Sequence, residues 1–315
     1  MNETDSIQEQ DSDVARSAPA RKPRTADSRT AAAQPSRPAE QAEMPIPPPL
    51  SDALAEIGYV LTGRLGQGGM CEVFLAHHED SDEPLAVKVL DCGPRQDPTR
   101  LKRFMQEFDL TRRIDSRHVM QLYDRGFGSN FAFTVTEYFP AGSLEPRIEH
   151  GLSPERALEY LRQLAHALQS AHAIGIVHRD IKPANVLFRD DDTLALIDFG
   201  LATWLDRDFA LTATGNVLGT PFYMSPEQVR QEPLDGRSDL YSLGILAHEM
   251  LSGGKPFNVD SLHGLLRAHL LTPVPELPDG LARYQPLIDR LTAKSPDARF
   301  QSAQALLDAL EALHA

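Results

Sequence analysis

Five short motifs stand in one order along the chain, and that order constrains the fold more than any one of them. They are Gly66-Gln67-Gly68-Gly69-Met70-Cys71-Glu72-Val73, Leu85-Ala86-Val87-Lys88, His178-Arg179-Asp180-Ile181-Lys182-Pro183-Ala184-Asn185, Asp198-Phe199-Gly200 and Ser225-Pro226-Glu227. A glycine-rich turn alone fits many nucleotide-binding folds and plain hairpins. The third motif is more specific, because it fixes an Asp, a Lys and an Asn at one spacing. As an ordered set, the five leave little room for coincidence.

Hydrophobic patterning divides the chain in the same places. Tyr59–Leu65, Glu72–His77 and Leu85–Leu90 read as strands around the glycine turn and a second loop. A charged helix is predicted over Pro98 to Ile114, followed by strands at Met120–Gly126 and Phe131–Glu137. After Gly142 the pattern becomes helical. Ser153-Pro154 has the chemistry of an N-cap and a first helical residue. Leu161, Leu164, Leu168 and Ala171 then line one face. Ser238 is expected to cap a helix running to Gly253, with further helices over 281–292 and 302–313.

Residues 1–50 differ from the rest. They lack aromatics, are rich in Pro, Ala, Ser, Gln and Arg, and end in Pro45-Ile46-Pro47-Pro48-Pro49. Such a segment buries too little apolar surface to offset the entropy of ordering. It is expected to be a disordered tail that catalysis does not need, and residues 51–315 to be the folded domain. The whole chain carries a net charge of −14, which argues against a partner held by a basic surface, so no nucleic acid is expected. Two cysteines, Cys71 and Cys92, cannot form a disulfide framework, and a reducing, cytoplasmic setting follows. No run of about 18 apolar residues suggests a membrane span.

The motif set resembles the signature of protein kinases, and Gly69-Met70 together with Arg103-Phe104-Met105-Gln106-Glu107 resembles the bacterial Hanks-type (eukaryotic-like) serine/threonine branch. The resemblance covers about Gly58 to His314. It implies an α+β bilobal fold: a small five-stranded antiparallel N-lobe with one helix over about 58–139, and a larger, mainly helical C-lobe over about 140–314. It also implies ATP as phosphoryl donor, with Mg²⁺ (or Mn²⁺) as the metal.

The site residues follow from that resemblance. Gly66, Gln67, Gly68 and Gly69 would lie over the ATP phosphates, with Cys71 standing where the family has a third glycine. Two readings of Cys71 stand: a small residue tolerated in place of glycine, which is the favoured one, and a reactive thiol that loses its proton more easily near Lys88 and backbone N–H groups. Lys88 would reach the α/β-phosphates and pair with Glu107. Asp180 would orient the acceptor hydroxyl and take its proton, and Lys182 would contact the transferring phosphoryl group. Asn185 and Asp198 would hold the metal, a hard cation that prefers oxygen. Leu65, Val73 and Ala86 would roof the adenine and Leu187 would floor it. Glu137-Tyr138-Phe139 would form the hinge, with Thr136 as gatekeeper and Ser143 near the ribose. Glu227 would pair with Arg299, and Asp239 would hold the catalytic-loop backbone.

Regulation is implied too. Thr212 and Thr214 lie between Asp198-Phe199-Gly200 and Ser225-Pro226-Glu227, where relatives carry twin loop threonines. Arg179, preceding Asp180, would bind a phosphate placed there. Thr220 would belong to the substrate platform. Implied partners are Ser/Thr-bearing proteins, a cognate phosphatase, FHA-domain proteins and a transient second copy for trans-autophosphorylation. Basophilic relatives carry a carboxylate where this chain has Ala184. Two rival readings are a scaffold that kept the fold without turnover and a small-molecule kinase. Small-molecule kinases usually lack the Ser-Pro-Glu segment and the Gly219-Thr220-Pro221 platform present here.

Overall fold

In the computed structural model, residues 48–68, 71–93, 96–128, 130–199 and 221–313 are described. The first element is helix α1, Pro48–Ala55. Strands β1 (Tyr59–Gly68), β2 (Cys71–His78) and β3 (Ser81–Asp91) follow, then helix α2 (Pro98–Thr111) and strands β4 (Leu122–Phe127) and β5 (Phe131–Glu137). The five strands form one antiparallel sheet in the order β1-β2-β3-β5-β4. Moving β5 between β3 and β4 places Lys88 opposite Thr134 and Ala86 opposite Thr136, in the middle of the sheet.

The two faces of this sheet have different partners. Phe74, Val87, Phe133 and Val135 pack with Leu50 and Leu54 of α1. Leu90 and Ala132 pack with Phe104 of α2, and Cys71 and Cys92 rest against that cluster. Among the described residues within 58–139 the lobe has one helix, α2, as expected, and α1, which precedes Gly58, packs on the sheet from outside those bounds. Pro48–Leu50, counted with the tail on composition, form the first turn of α1. Leu54 is wholly buried and Leu50 nearly so. An antiparallel sheet can leave one face to solvent, but here α1 covers the face that α2 leaves open.

This gives a stability prediction. Leu54→Ala removes a buried side chain from a packed face and should cost about 2–5 kcal/mol. Urea denaturation would measure it. A chain beginning near Met44 should match the full-length protein in that assay, whereas one beginning at Glu56 should be at least as unstable as Leu54→Ala.

The second half is built on helices. Short α3 (Leu144–Glu149) leads to α4 (Pro154–Ala173), where the Ser153 hydroxyl accepts from Arg156 N–H and Pro154 starts the helix, as its sequence suggests. A two-stranded antiparallel ribbon, β6 (Val186–Phe188) with β7 (Leu194–Leu196), follows. Then come α5 (Pro226–Arg230), α6 (Gly236–Ser252), α7 (Leu262–Leu271), α8 (Gln285–Leu291) and α9 (Ala303–Ala312). The expected helix over 281–292 is a 3-10 segment, Asp279–Tyr284, before α8.

Helix α6 is the axis of this half, buried from Ser238 to Leu251 on every side. Its cap is Asp235, whose carboxylate accepts from Arg237 N–H, and not Ser238 as expected. Ser238 lies one turn in, where its hydroxyl is used for a tertiary bond to Glu227 at 2.7 Å. At Gly244 a Cβ would sit 2.6 Å from the Leu291 Cβ, so glycine lets α6 and α8 touch backbone to backbone.

Candidate active site

The centre of the candidate site is a three-residue charge cluster. Lys88 lies between buried Val87 and Val89 in β3, and its Nζ donates to Glu107 Oε1 of α2 at 2.7 Å and to Asp198 Oδ1 at 3.3 Å. Burial works against the ammonium, but the two carboxylates outweigh it and hold the Lys88 pKa above the ordinary lysine value. Burial pushes the Glu107 carboxyl up to about 7, against the pull of Lys88 and helped by the charge of Asp198. Asp198 goes the other way, to about 2, chiefly because of Lys88. One lysine thus serves two carboxylates, and Asp198 is the one that stays firmly ionised.

The catalytic-loop motif folds around two strained residues. Arg179 and Asp198 both adopt left-handed backbone, at φ of 69° and 70°, a conformation that costs a non-glycine residue energy. Buried Asp239 of α6 compensates by accepting from the backbone N–H groups of His178 at 2.9 Å and Arg179 at 2.8 Å. His172 in the last turn of α4 also meets Asp239, at 2.8 Å. The Asp180 N–H donates to His178 Nδ1, so the neutral ring carries its proton on Nε2, which donates to Ile197 O at 2.8 Å. The Phe199 ring packs edge-on to His178, with centroids 4.6 Å apart, and seats the segment that carries Asp198.

Asp180 is the hub of the polar groups. Its Oδ2 accepts from Lys182 Nζ at 2.7 Å and from Asn185 Nδ2 at 3.1 Å. Among the described residues, Oδ1 accepts nothing. Asn185 turns its NH₂ toward Asp180, donating also to the Asp180 carbonyl at 2.8 Å, which leaves its amide oxygen pointing elsewhere. The Ile197 N–H donates to the Asn185 carbonyl at 2.9 Å, so the Asn185 and Asp198 segments lie side by side.

The residues expected around the adenine are placed by the sheet and the ribbon. Val73 pairs with Lys88, Ala86 with Thr136 and Leu85 with Glu137. Leu187 is the half-exposed residue of β6, between buried Val186 and Phe188, and it bridges to Ser143. Phe139 is buried, whereas Leu65 is exposed at the lip. Among the described residues, a Cβ on Gly66 would meet nothing within 4 Å, so no packing among them requires glycine there.

Two anchors fix the far side. Arg299, fully buried, forks onto Glu227 with bonds of 2.7 and 2.9 Å. Ser225 and Gln228 form a capping box, and Gln228 Nε2 reaches the Arg179 carbonyl at 2.8 Å.

A comparison with protein families matches residues 59–310 to the protein kinase domain. The chain belongs to the protein kinase family. Curated relatives agree. A serine/threonine-protein kinase, PknL of Mycobacterium bovis, is 36% identical over 271 residues, covering 84% of this chain and 68% of PknL. A Corynebacterium efficiens serine/threonine-protein kinase, drp72, is 38% identical over 263 residues, covering 81% of this chain and 50% of its own length. Among solved structures, the kinase domain of Mycobacterium tuberculosis PknI superposes with a TM-score of 0.63 at 26% identity, over 81% of this chain and 96% of that one. This kinase is therefore a bacterial Hanks-type serine/threonine protein kinase. No helix among its described residues is long and apolar enough to cross a membrane.

Several expected site residues, namely Gly69, Thr212, Thr214 and Thr220, lie outside the described residues of the kinase. Of the two readings of Cys71, the structure favours the packed small residue over the reactive thiol. Its thiol is pushed up to about 11, mainly by burial beneath the glycine turn, with Lys88 opposing and Glu107 and Asp198 adding to the rise. The cysteine is packing between β2 and α2. Iodoacetamide at pH 7.5 should label Cys71 roughly a hundredfold more slowly than a free thiol, because the thiolate is the nucleophile. Peptide mapping over time would measure this, and labelling at the free-thiol rate would contradict it.

Sequence reasoning missed three contributors. Gln228 could have been found, because Ser225-x-x-Gln228 is a capping-box pattern. His172 carries no local signal. Neither does Arg189, which grips the Glu137 carboxylate with two bonds, reaches the Arg117 carbonyl at 2.9 Å and ties the hinge to the ribbon.

Proposed function

We propose that this kinase transfers the γ-phosphoryl group of Mg²⁺-ATP to Ser/Thr hydroxyls of proteins and activates itself by phosphorylating Thr212 and Thr214. The observation that carries the first part is the juxtaposition of Lys88, Glu107 and Asp198 with Asp180, Lys182 and Asn185. Phosphoryl transfer asks little covalent help of the protein; it asks for in-line placement and neutralised charge. Glu107 fixes the Lys88 ammonium, which is then available to the α/β-phosphates. Asp180 uses its unoccupied carboxylate oxygen to orient the acceptor hydroxyl and to take its proton as the new P–O bond forms. Lys182, already at Asp180, balances charge on the transferring group.

The donor set suits a hard cation. Asp198 stays ionised, and the Asn185 amide oxygen is turned away from Asp180, so the two offer oxygen ligands on adjacent segments. A magnesium ion held there, with Mn²⁺ as a substitute, would neutralise phosphate charge. Leu65, Val73, Ala86 and Leu187 supply the apolar walls for adenine, Glu137 and Phe139 the hinge, Gly66, Gln67, Gly68 and Gly69 the phosphate loop, and Ser143 a ribose contact.

Arg179 supports self-activation. Its Nε is buried and has no acceptor among the described residues. Burial lowers its pKa only against a very high ordinary value, so the guanidinium remains charged and lacks a full set of acceptors. A phosphothreonine, with charge of about −1.5 to −2, would supply them. Because the loop of one copy must reach the site of another, the reaction implies a transient homodimer. The resulting phosphothreonine is a handle for a cognate phosphatase and for FHA-domain proteins. Two unpaired cysteines and the use of ATP suit the cytoplasm.

Intact-mass analysis and peptide mapping of the protein beside its Asp180→Ala form test this. Phosphate is expected on Thr212 or Thr214 only in the active protein, and Thr212→Ala/Thr214→Ala should lower its rate roughly tenfold or more. A fully active double mutant would refute the control mechanism.

A further inference from the structure

His269, in the last turn of α7, is fully buried, and its Nε2 has no hydrogen-bond partner among the described residues. A buried polar atom without a partner is costly and calls for an explanation. Its other nitrogen is well occupied, because Nδ1 lies 3.0 Å from the Tyr241 hydroxyl of α6. That hydroxyl also accepts from Lys294 Nζ at 3.1 Å, and Lys294 bonds the Ala268 carbonyl at 3.4 Å. An ammonium can only donate. The Tyr241 proton can reach two acceptors on His269, and Nδ1 at 3.0 Å is nearer than the backbone carbonyl at 3.5 Å, so Nδ1 is the acceptor and the ring proton sits on Nε2. Burial, with Lys294 next, pushes the imidazole down to about 4, so the ring is neutral at pH 7.

The protonated nitrogen has a direction. The backbone carbonyls of Phe222 and Pro221 act on the imidazole, although neither lies within hydrogen-bond reach of Nε2. Pro221–Tyr223 is the 3-10 turn directly after Gly219-Thr220. Phe222 and Tyr223, with Phe257 and the catalytic-loop residue Pro183, line a cavity of about 490 Å³. His269 backs that wall a second time, with its ring edge-to-face against Phe257 at 5.1 Å.

We propose that His269 is a positioning residue for the protein substrate: its Nε2–H latches a Pro221 or Phe222 carbonyl and holds the platform on which the substrate chain lies beside Asp180. The Lys294–Tyr241 relay sets the tautomer that makes the latch a donor. The latch is open in the unliganded chain and closes as a docked substrate presses the turn toward α7. Apo hydrogen bonds at reaction sites commonly tighten in this way. The inference rests on the reading of residues 219–223 as the substrate platform.

Steady-state kinetics with myelin basic protein as probe substrate test it. His269→Phe keeps the ring packing and removes both nitrogens. It should raise KM for the protein substrate about five- to tenfold, the scale of one hydrogen bond, with kcat and the KM for ATP changed less than twofold. His269→Gln can place an amide N–H near the Nε2 position and should recover most of the loss. Tyr241→Phe frees the tautomer and should shift KM in the same direction by less. An unchanged protein-substrate KM in His269→Phe, or parallel losses in kcat and in both KM values, would overturn the proposal. Long-range ¹H–¹⁵N spectra of wild-type protein give a readout that needs no variant to fold. Nδ1 should show as the unprotonated nitrogen, and a protonated Nδ1 would overturn the relay. Because wild type is assayed alongside, absent transfer by wild type would mark failure of the kinase reading, whereas equal KM values in active proteins would mark failure of the latch.

Discussion

Asp180→Ala should lower the initial rate of phosphoryl transfer by about 10² to 10⁴ while leaving the fold intact. The geometry explains why the two effects separate. Among the described residues, Asp180 bonds through its side chain only to Lys182 and Asn185, both of them polar residues of the same loop. Removing it takes away the proposed proton acceptor without opening a cavity in a packed core. Urea denaturation should therefore place the variant within about 1 kcal/mol of wild type, as expected for a substitution away from the core. Lys88→Met acts by a different route. It leaves Glu107 and Asp198 together without their shared cation, so Glu107 should bind a proton more tightly and α2 lose its tie to β3. A similar loss of rate is expected, with some loss of stability. A variant at Asp180 that transfers phosphate at the wild-type rate would contradict the assigned role.

The largest effect on stability is expected from breaking the Glu227–Arg299 pair. Arg299 has no solvent exposure, and besides the fork onto Glu227 it donates to the carbonyls of Ala293, Arg237 and Lys294 at 2.7, 2.8 and 3.2 Å. It thus joins the segment after α8 to the start of α6 and to α5. Glu227→Ala strands a buried guanidinium and should cost about 3–5 kcal/mol, measured by urea denaturation. Arg299→Lys should not rescue it, because an ammonium cannot reproduce the planar fork. The pH dependence follows from Glu227. Burial pushes its carboxyl up, but hydrogen bonds from Arg299 and Ser238 outweigh this and hold it below the ordinary glutamate value. A depressed folded-state pKa means that the folded chain binds fewer protons. This stabilisation is complete above the unfolded-state value and is lost as the pH falls through the folded one. Wild-type stability should fall over that acid window, and Glu227→Gln should flatten that part of the curve.

The site was more legible in the sequence than parts of the fold were. Lys88 and Glu107 meet at 2.7 Å, as the motif spacing implies, and Glu227 finds Arg299 across 72 residues. The first contact is readable because phosphate chemistry permits few arrangements of charge, and the second because the resemblance to protein kinases implies that structural anchor. Helix α1 was not readable. Its Pro48 and Pro49 continue a proline run, and the eight-residue helix has only two leucines to mark its buried face. The cap of α6 was misassigned to Ser238 because serine suits an N-cap on local grounds. Its hydroxyl instead serves Glu227, a tertiary demand that no local rule contains. Arg189 and His172 belong to the same class: each bonds a residue more than fifty positions away, and nothing near it in the chain announces the partner. Cys71 shows the limit of reasoning from a motif. Nearness to Lys88 left an acidic thiol open as the second reading, whereas packing against the Leu90–Phe104 cluster makes burial the larger influence.

The measurement that bears most directly on the central claim is transfer of label from [γ-³²P]ATP, with and without Mg²⁺, by the purified full-length chain beside Asp198→Ala, followed by phosphoamino-acid analysis. Asp198 is the most firmly ionised member of the charge cluster and the proposed metal ligand. The expected result is Mg²⁺-dependent label on serine or threonine in the wild-type reaction and at least a hundredfold less with Asp198→Ala. Label at equal rates in the two proteins, or none with wild type, would contradict the account.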